Sequence, residues 1–149
     1  MFDANTIIAI LIPALIQVES GGGLNTSGDY NEKTGEWEAI GVLQQHKIFV
    51  KEVNRILRTK WGKKHYPSTP DFHCWPFPGK DDRCNPVRAK LMTQIWLECY
   101  GENRSVETCI RMYNAGSNWR GKQAEKYWLK VKAELEKQGV QYLKVEASK

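Results

Sequence analysis

A chain of 149 residues makes one ordinary domain, long enough for a single core and too short to need a second. Its 41% hydrophobic and 26% charged content excludes a disordered or fibrous chain. The net charge of +5 is interspersed and favours a polyanionic partner, but there is no arginine-rich helix, RNP-like strand or zinc-finger spacing, so nucleic acid is not the expected one.

Ile7, Ile8, Leu11, Ala14, Leu15 and Val18 recur at helical spacing behind a cap at Asn5 or Thr6, which predicts a core helix. Pro13 predicts a kink in it, or a start near that point. The ten-residue apolar run from Ile7 to Ile16 is about half of what a membrane span needs. Its length is that of a signal-peptide core, but "MFDANT" carries an acid and no base, and no small-x-small site follows; export by another route, or after removal of a leader, is expected. Glu19 falls at the edge of the apolar stripe, and Gly21, Gly22 and Gly23 end the helix.

The polar stretch from Asn25 to Glu38 predicts a hairpin with its tip at "KTGE", leading into "WEAIGVLQ". A helix is expected from His46 to Thr59, with Phe49, Val53, Ile56 and Leu57 inward. Residues 61–85 contain Pro67, Pro70, Pro76 and Pro78 and predict a long loop insertion. Its rings, Trp61, Tyr66, Phe72, Trp75 and Phe77, form either a stacking platform for sugars or a small core of the loop itself; the second is favoured, because a long loop needs apolar filling.

Asn85 and Pro86 are a cap and first helical residue, opening a helix that stops at Gly101. Ser105 starts another helix, which ends in "NAGSN". The last helix is expected from Lys122 to Gln138, stopped by Gly139 and followed by a loose tail over 140–149. The chain thus reads as one domain over 1–149, mainly α (α+β), with a small β-hairpin.

Cys74, Cys84, Cys99 and Cys109 allow three pairings. Local pairing, Cys74 with Cys84 and Cys99 with Cys109, closes two short loops worth ~2–3 kcal/mol each and suits an oxidising compartment. The alternative is buried thiols in a cytosolic protein. With no C-x-x-C and three scattered histidines, neither a metal nor another cofactor is expected.

Four segments matter together: "VESGG" at 18–22, "AIGVLQ" at 39–44, "RMYNAG" at 111–116 and "KYWLKV" at 126–131. Their order and spacing resemble lytic transglycosylase domains of the soluble type and, more distantly, goose-type lysozymes, from about Ile7 to Val131. The resemblance implies a lysozyme-like fold and cleavage of the MurNAc–GlcNAc β-1,4 bond of peptidoglycan. It implies Glu19 as the catalytic acid and then base, with the sugar's own 6-hydroxyl closing an anhydro ring. An acid at the end of an apolar helix loses hydration and keeps its proton, as this chemistry requires.

The resemblance further implies that Ser20 bonds near the acid or substrate, that Tyr113 and Asn114 line the cleft, and that the Tyr127 hydroxyl points to the site. Gln44 can donate and accept against an acetamido group. Each has a plainer role: Ser20 as a helix-end serine, Gln44 as a solvent-facing strand residue, Asn114 as a helix terminus and Tyr127 as core. Asp29 is the best-placed second carboxylate for an inverting hydrolase. Leu43 and Met112 replace the family's methionine and alanine, and His46 stands where the family has an aspartate. The implied partner is the peptidoglycan glycan strand, met by a monomer in the periplasm or outside the cell, with phage endolysins and secretion-system enzymes both compatible. A non-catalytic wall-glycan-binding protein is the alternative from another class.

Overall fold

The computed structural model describes residues 3–75 and 78–147. The first helical stretch comprises α1 (Ala4–Thr6), a π-helical turn (Ile7–Leu11) and α2 (Ile12–Ser20). Its cap is Asp3, ahead of the expected Asn5 or Thr6: the Asp3 carboxylate accepts from Thr6 N–H at 2.8 Å. Pro13 does not break the helix. The widened π turn just before it, in which Ile12 N–H bonds Ile7 O, absorbs a residue without an N–H whose ring would crowd an ordinary preceding turn. Gly21 ends α2 in the left-handed region, at φ 61°.

Strands β1 (Asp29–Asn31), β2 (Glu36–Ile40) and β3 (Gln45–His46) form an antiparallel sheet in that order. The expected hairpin is β1–β2, with Tyr30 opposite Trp37; the third strand, Ala39 opposite His46 and Ile40 opposite Gln45, was not foreseen. The tight turn between β2 and β3 needs Gly41, whose φ is 90° and where a Cβ would lie 2.0 Å from Arg83 O.

Helices α3 (Lys47–Arg58), α5 (Pro86–Gly101) and α6 (Val106–Ala115) lie close to their expected bounds. Asn85 caps α5 by accepting from Val87 and Arg88 N–H, and Ser105 caps α6 by accepting from Thr108 N–H. Residues 61–85 are not all loop: α4 (Lys60–His65) occupies the start, and 3₁₀ turns cover Pro78–Lys80 and Asp82–Cys84. Helix α7 runs over Lys122–Ala147, through Gly139, so the expected tail is helical as far as Ala147. One interior glycine costs only about 1 kcal/mol against alanine, and no proline follows it.

Leu11, Leu15, Val53, Ile56, Met92, Ile95, Ile110, Val131 and Leu135 are buried in one core, into which Phe72 also inserts. Trp61 stacks on His65, with centroids 4.6 Å apart, and Trp75 is exposed. Pro76 and Phe77, and the last two residues of the expected tail, lie outside the described residues.

All four cysteines are free thiols, a correction to the expected local pairing, and burial pushes the Cys109 thiol up to about 12. They therefore supply no argument for an oxidising compartment. A buried ion pair fastens the end of the 66–85 segment: Arg83, 1% exposed, holds Asp81, 3% exposed, through Nε at 3.0 Å and Nη2 at 2.8 Å. Its Nη1 donates to the carbonyls of Trp37, Glu38 and Gln45, which fastens the loop to the sheet. Burial raises the Asp81 pKa, but Arg83 and the N–H groups of Arg83 and Trp75 outweigh it and hold the carboxyl below the usual range. Among the described residues no helix is long and apolar enough to cross a membrane.

Candidate functional site

Leu11, Leu15 and Glu19 fall four residues apart, so the acid continues the buried stripe of its helix to the point where the core opens. Glu19 is half-buried on the wall of a cavity of about 120 Å³, with Leu43, Gln44, Gln45, His46, Phe49, Tyr113 and Asn114. Tyr127, buried on α7, donates its hydroxyl proton to Glu19 Oε1 at 2.5 Å. Loss of hydration raises the Glu19 pKa above the ordinary glutamate value; the Tyr127 hydrogen bond and the positive charge of Lys130 pull the other way without cancelling it.

Gln44 sits in the β2–β3 turn with φ 45°, a left-handed conformation that a non-glycine residue adopts rarely. Its Nε2 donates back to Gly41 O at 2.8 Å. It is thus a strained turn residue on the cavity wall, neither in a strand nor facing only solvent. Ser20 holds this turn against the helix end: its hydroxyl donates to Val42 O at 2.7 Å, lies 3.1 Å from Ile16 O and accepts from Gly23 N–H at 3.0 Å. Ser20 is buried one residue from the acid and off the cavity wall.

Tyr113 stands edge-on to Phe49 and Trp96, with ring centroids 5.4 and 5.5 Å away, and its hydroxyl is 3.2 Å from Thr93 Oγ1. Asn114 follows on the wall with a buried Oδ1 that has no partner among the described residues. His46, Phe49, Tyr113 and Asn114 also line a second cavity of about 540 Å³, which continues over Trp96, Tyr100, Met112 and Gly116. The two share these four residues and form one cleft, with a carboxyl group of raised pKa at its inner end and an aromatic flank.

Glu19, Gln44, Tyr113, Asn114 and Tyr127 are therefore brought together, and Asp29 is not. Asp29 is exposed on β1, opposite Ala39, and is not on the wall of either cavity. A larger groove of about 660 Å³ between the first helical stretch and α5, lined by Ile8, Ile12, Ile16 and Leu91, has no carboxylate among the described residues. The residues that sequence reasoning missed are Gln45, Thr93 and Lys130. Lys130 lies one helical turn beyond Tyr127, so helical spacing carried a signal for it, whereas Gln45 follows the left-handed turn residue Gln44, which breaks any alternation with Leu43. Thr93, a polar residue within a core helix, gave none.

Comparison of the chain with protein-family models, with curated proteins and with solved structures gives no match.

Proposed function

We propose that this chain is a peptidoglycan-cleaving enzyme with a lysozyme-like fold, a lytic transglycosylase acting on the MurNAc–GlcNAc β-1,4 bond through Glu19 alone. The observation that carries the reading is the half-buried Glu19, its pKa raised by lost hydration and its Oε1 held by Tyr127, on the wall of a cleft that Gln44, Tyr113 and Asn114 also line. Among the described residues Glu19 is the only carboxylate on the inner cavity.

In this mechanism Glu19 gives its proton to the bridging oxygen as the C1–O bond breaks and positive charge develops at the ring. The resulting carboxylate, stabilised by the Tyr127 hydroxyl and Lys130, takes the proton of the muramyl 6-hydroxyl. That oxygen then bonds to C1, which closes the 1,6-anhydro ring and restores the acid, with no water consumed. The exposed position of Asp29 supports this route over inverting hydrolysis. Glu36 is engaged by Lys47, and Glu38 accepts from Asn31 Nδ2. The positive net charge suits an anionic wall outside the cytoplasm.

Digestion of purified peptidoglycan sacculi by the intact protein tests the reading. Release of soluble muropeptides by the wild type, and none by Glu19→Gln, is expected. Binding to sacculi without release would make the protein a wall-glycan binder.

A further inference from the structure

The positive excess of the chain is concentrated in one segment. Residues 47–65 carry seven lysines and arginines against a single carboxylate, Glu52, whereas the other 130 residues carry 15 against 16. No unbroken run of like charge marks this segment; helical spacing assembles it. On α3, Lys51, Arg55 and Arg58 fall three and four positions apart, and all are exposed. Thr59 ends that helix and caps the next, its hydroxyl accepting from Gly62 N–H at 3.1 Å. Gly62 presses α4 against α3, since a Cβ there would lie 2.2 Å from Ile56 O. Lys60, Lys63 and Lys64 are thereby turned outward together on the exposed face of α4.

Local stability does not account for this cluster. Lys60 is the first residue of α4, where the helix dipole disfavours a cation. It stands three and four positions from Lys63 and Lys64, so like charges meet within one turn. Arg55 is engaged by Glu52 and Arg58 by Asp71, but among the described residues Lys60, Lys63 and Lys64 have no anionic partner. An unpaired cluster that costs its own helix stability points to an anion supplied from outside the chain.

The form of the patch selects among polyanions. A membrane-surface helix needs an apolar face beside its bases, but the one large apolar side chain of α4, Trp61, is half-buried, with His65 stacked on it at 4.6 Å and Tyr66 at 6.0 Å. The same packing leaves no free ring on α4 for stacking nucleobases. Carboxylates of successive peptide stems along a glycan stand at least a sugar unit apart, whereas the three lysines are about 5–6 Å from one another at Cβ. A polyol-phosphate chain, with one charge per short repeat, matches that spacing, and an ammonium is an effective point partner for phosphate.

We propose that α4 docks the phosphodiester chain of an anionic wall polymer through Lys60, Lys63 and Lys64. None of the three lysines is on the wall of the inner or the outer cavity, so this surface is separate from the cleft. Helix α3 connects the two, with Phe49 and Glu52 on the cleft wall and α4 at its far end, so a docked polymer is held within about 20 Å of the cleft. The identity of the polymer, though not its chemistry, rests on the wall-cleaving reading above.

Titration with poly(glycerol phosphate) at stepped sodium chloride concentrations tests the assignment. The wild type should bind, with affinity falling as salt rises. The triple variant Lys60→Gln, Lys63→Gln, Lys64→Gln should bind at least about tenfold more weakly, with a log–log salt slope smaller by about two, the counterion release of three charges at ~0.7 each. Lys122→Gln, Lys126→Gln, Lys132→Gln removes the same charge from exposed positions of α7 and should keep the wild-type slope. Glutamine is a good helix former at all six positions, and the wild-type titrations stand without any variant. Equal losses in the two triple variants would reduce the effect to net charge and overturn the site. So would no wild-type binding at low salt, or tighter wild-type binding, at matched charge concentration, to duplex DNA, to vesicles of equimolar phosphatidylglycerol and phosphatidylcholine, or to phosphate-free sacculi. Binding of the phosphate polymer without any cleavage of sacculi would keep the docking surface and remove the transglycosylase, whereas cleavage without polymer binding would do the reverse.

Discussion

The Tyr127 hydroxyl donates to Glu19 Oε1 across 2.5 Å, joining the last helix to the first over 108 positions of sequence. This bond favours the charged carboxylate, and Lys130 favours it too, so both restrain a pKa that burial drives up. Tyr127→Phe should raise the Glu19 pKa further and move the alkaline limb of the pH–rate profile on sacculi to higher pH. Lys130→Met should shift it the same way. An unmoved limb would separate Tyr127 from the acid's titration.

Glu19→Gln keeps the shape and removes the titratable proton. Turnover should fall by about 10²–10⁴, the usual worth of a positioned acid. Stability should change in a pH-dependent direction. A carboxyl whose folded pKa lies above its unfolded value stabilises the fold fully below the unfolded value, and that contribution is lost as pH rises through the folded one. Melting temperatures across pH should show the variant gaining on the wild type as the solution becomes alkaline; parallel curves would contradict a raised Glu19.

The Asp81–Arg83 pair makes a second, independent prediction. Arg83→Met leaves Asp81 buried without its partner and frees three sheet carbonyls, so a loss of about 3–5 kcal/mol is expected in urea unfolding. The sign with pH is opposite to that of Glu19. The Asp81 pKa lies below its unfolded value, so its contribution is present above that value and disappears as pH falls through the folded one. Wild type and variant should converge in acid.

Asp29→Asn should leave turnover unchanged, because the residue is solvent-exposed and off the cleft wall. Loss of cleavage in this variant would favour a hydrolase with a second carboxylate.

Helical spacing and cap chemistry made most of the fold legible. Ser105 and the Asn85–Pro86 pair marked helix starts within a residue, because the orphan N–H groups of a first turn need those side chains. Gly139 misled, since a single glycine costs a long helix little, and the four cysteines misled because spacing says nothing of whether thiols pair. Of the site, Glu19 was readable from where its helix stops. Its link to Tyr127, the buried Gln45–Thr93–Tyr113 chain and the Arg83 clamp are tertiary. They join residues up to 108 positions apart, where no local pattern reports the contact.

The central claim is that Glu19 hands the proton back from the sugar's own hydroxyl and not from water. Mass spectrometry of muropeptides released from sacculi in heavy-oxygen water tests it most directly. The account predicts 1,6-anhydromuramyl ends without the heavy isotope; reducing ends that carry it would contradict the account and make the enzyme a lysozyme.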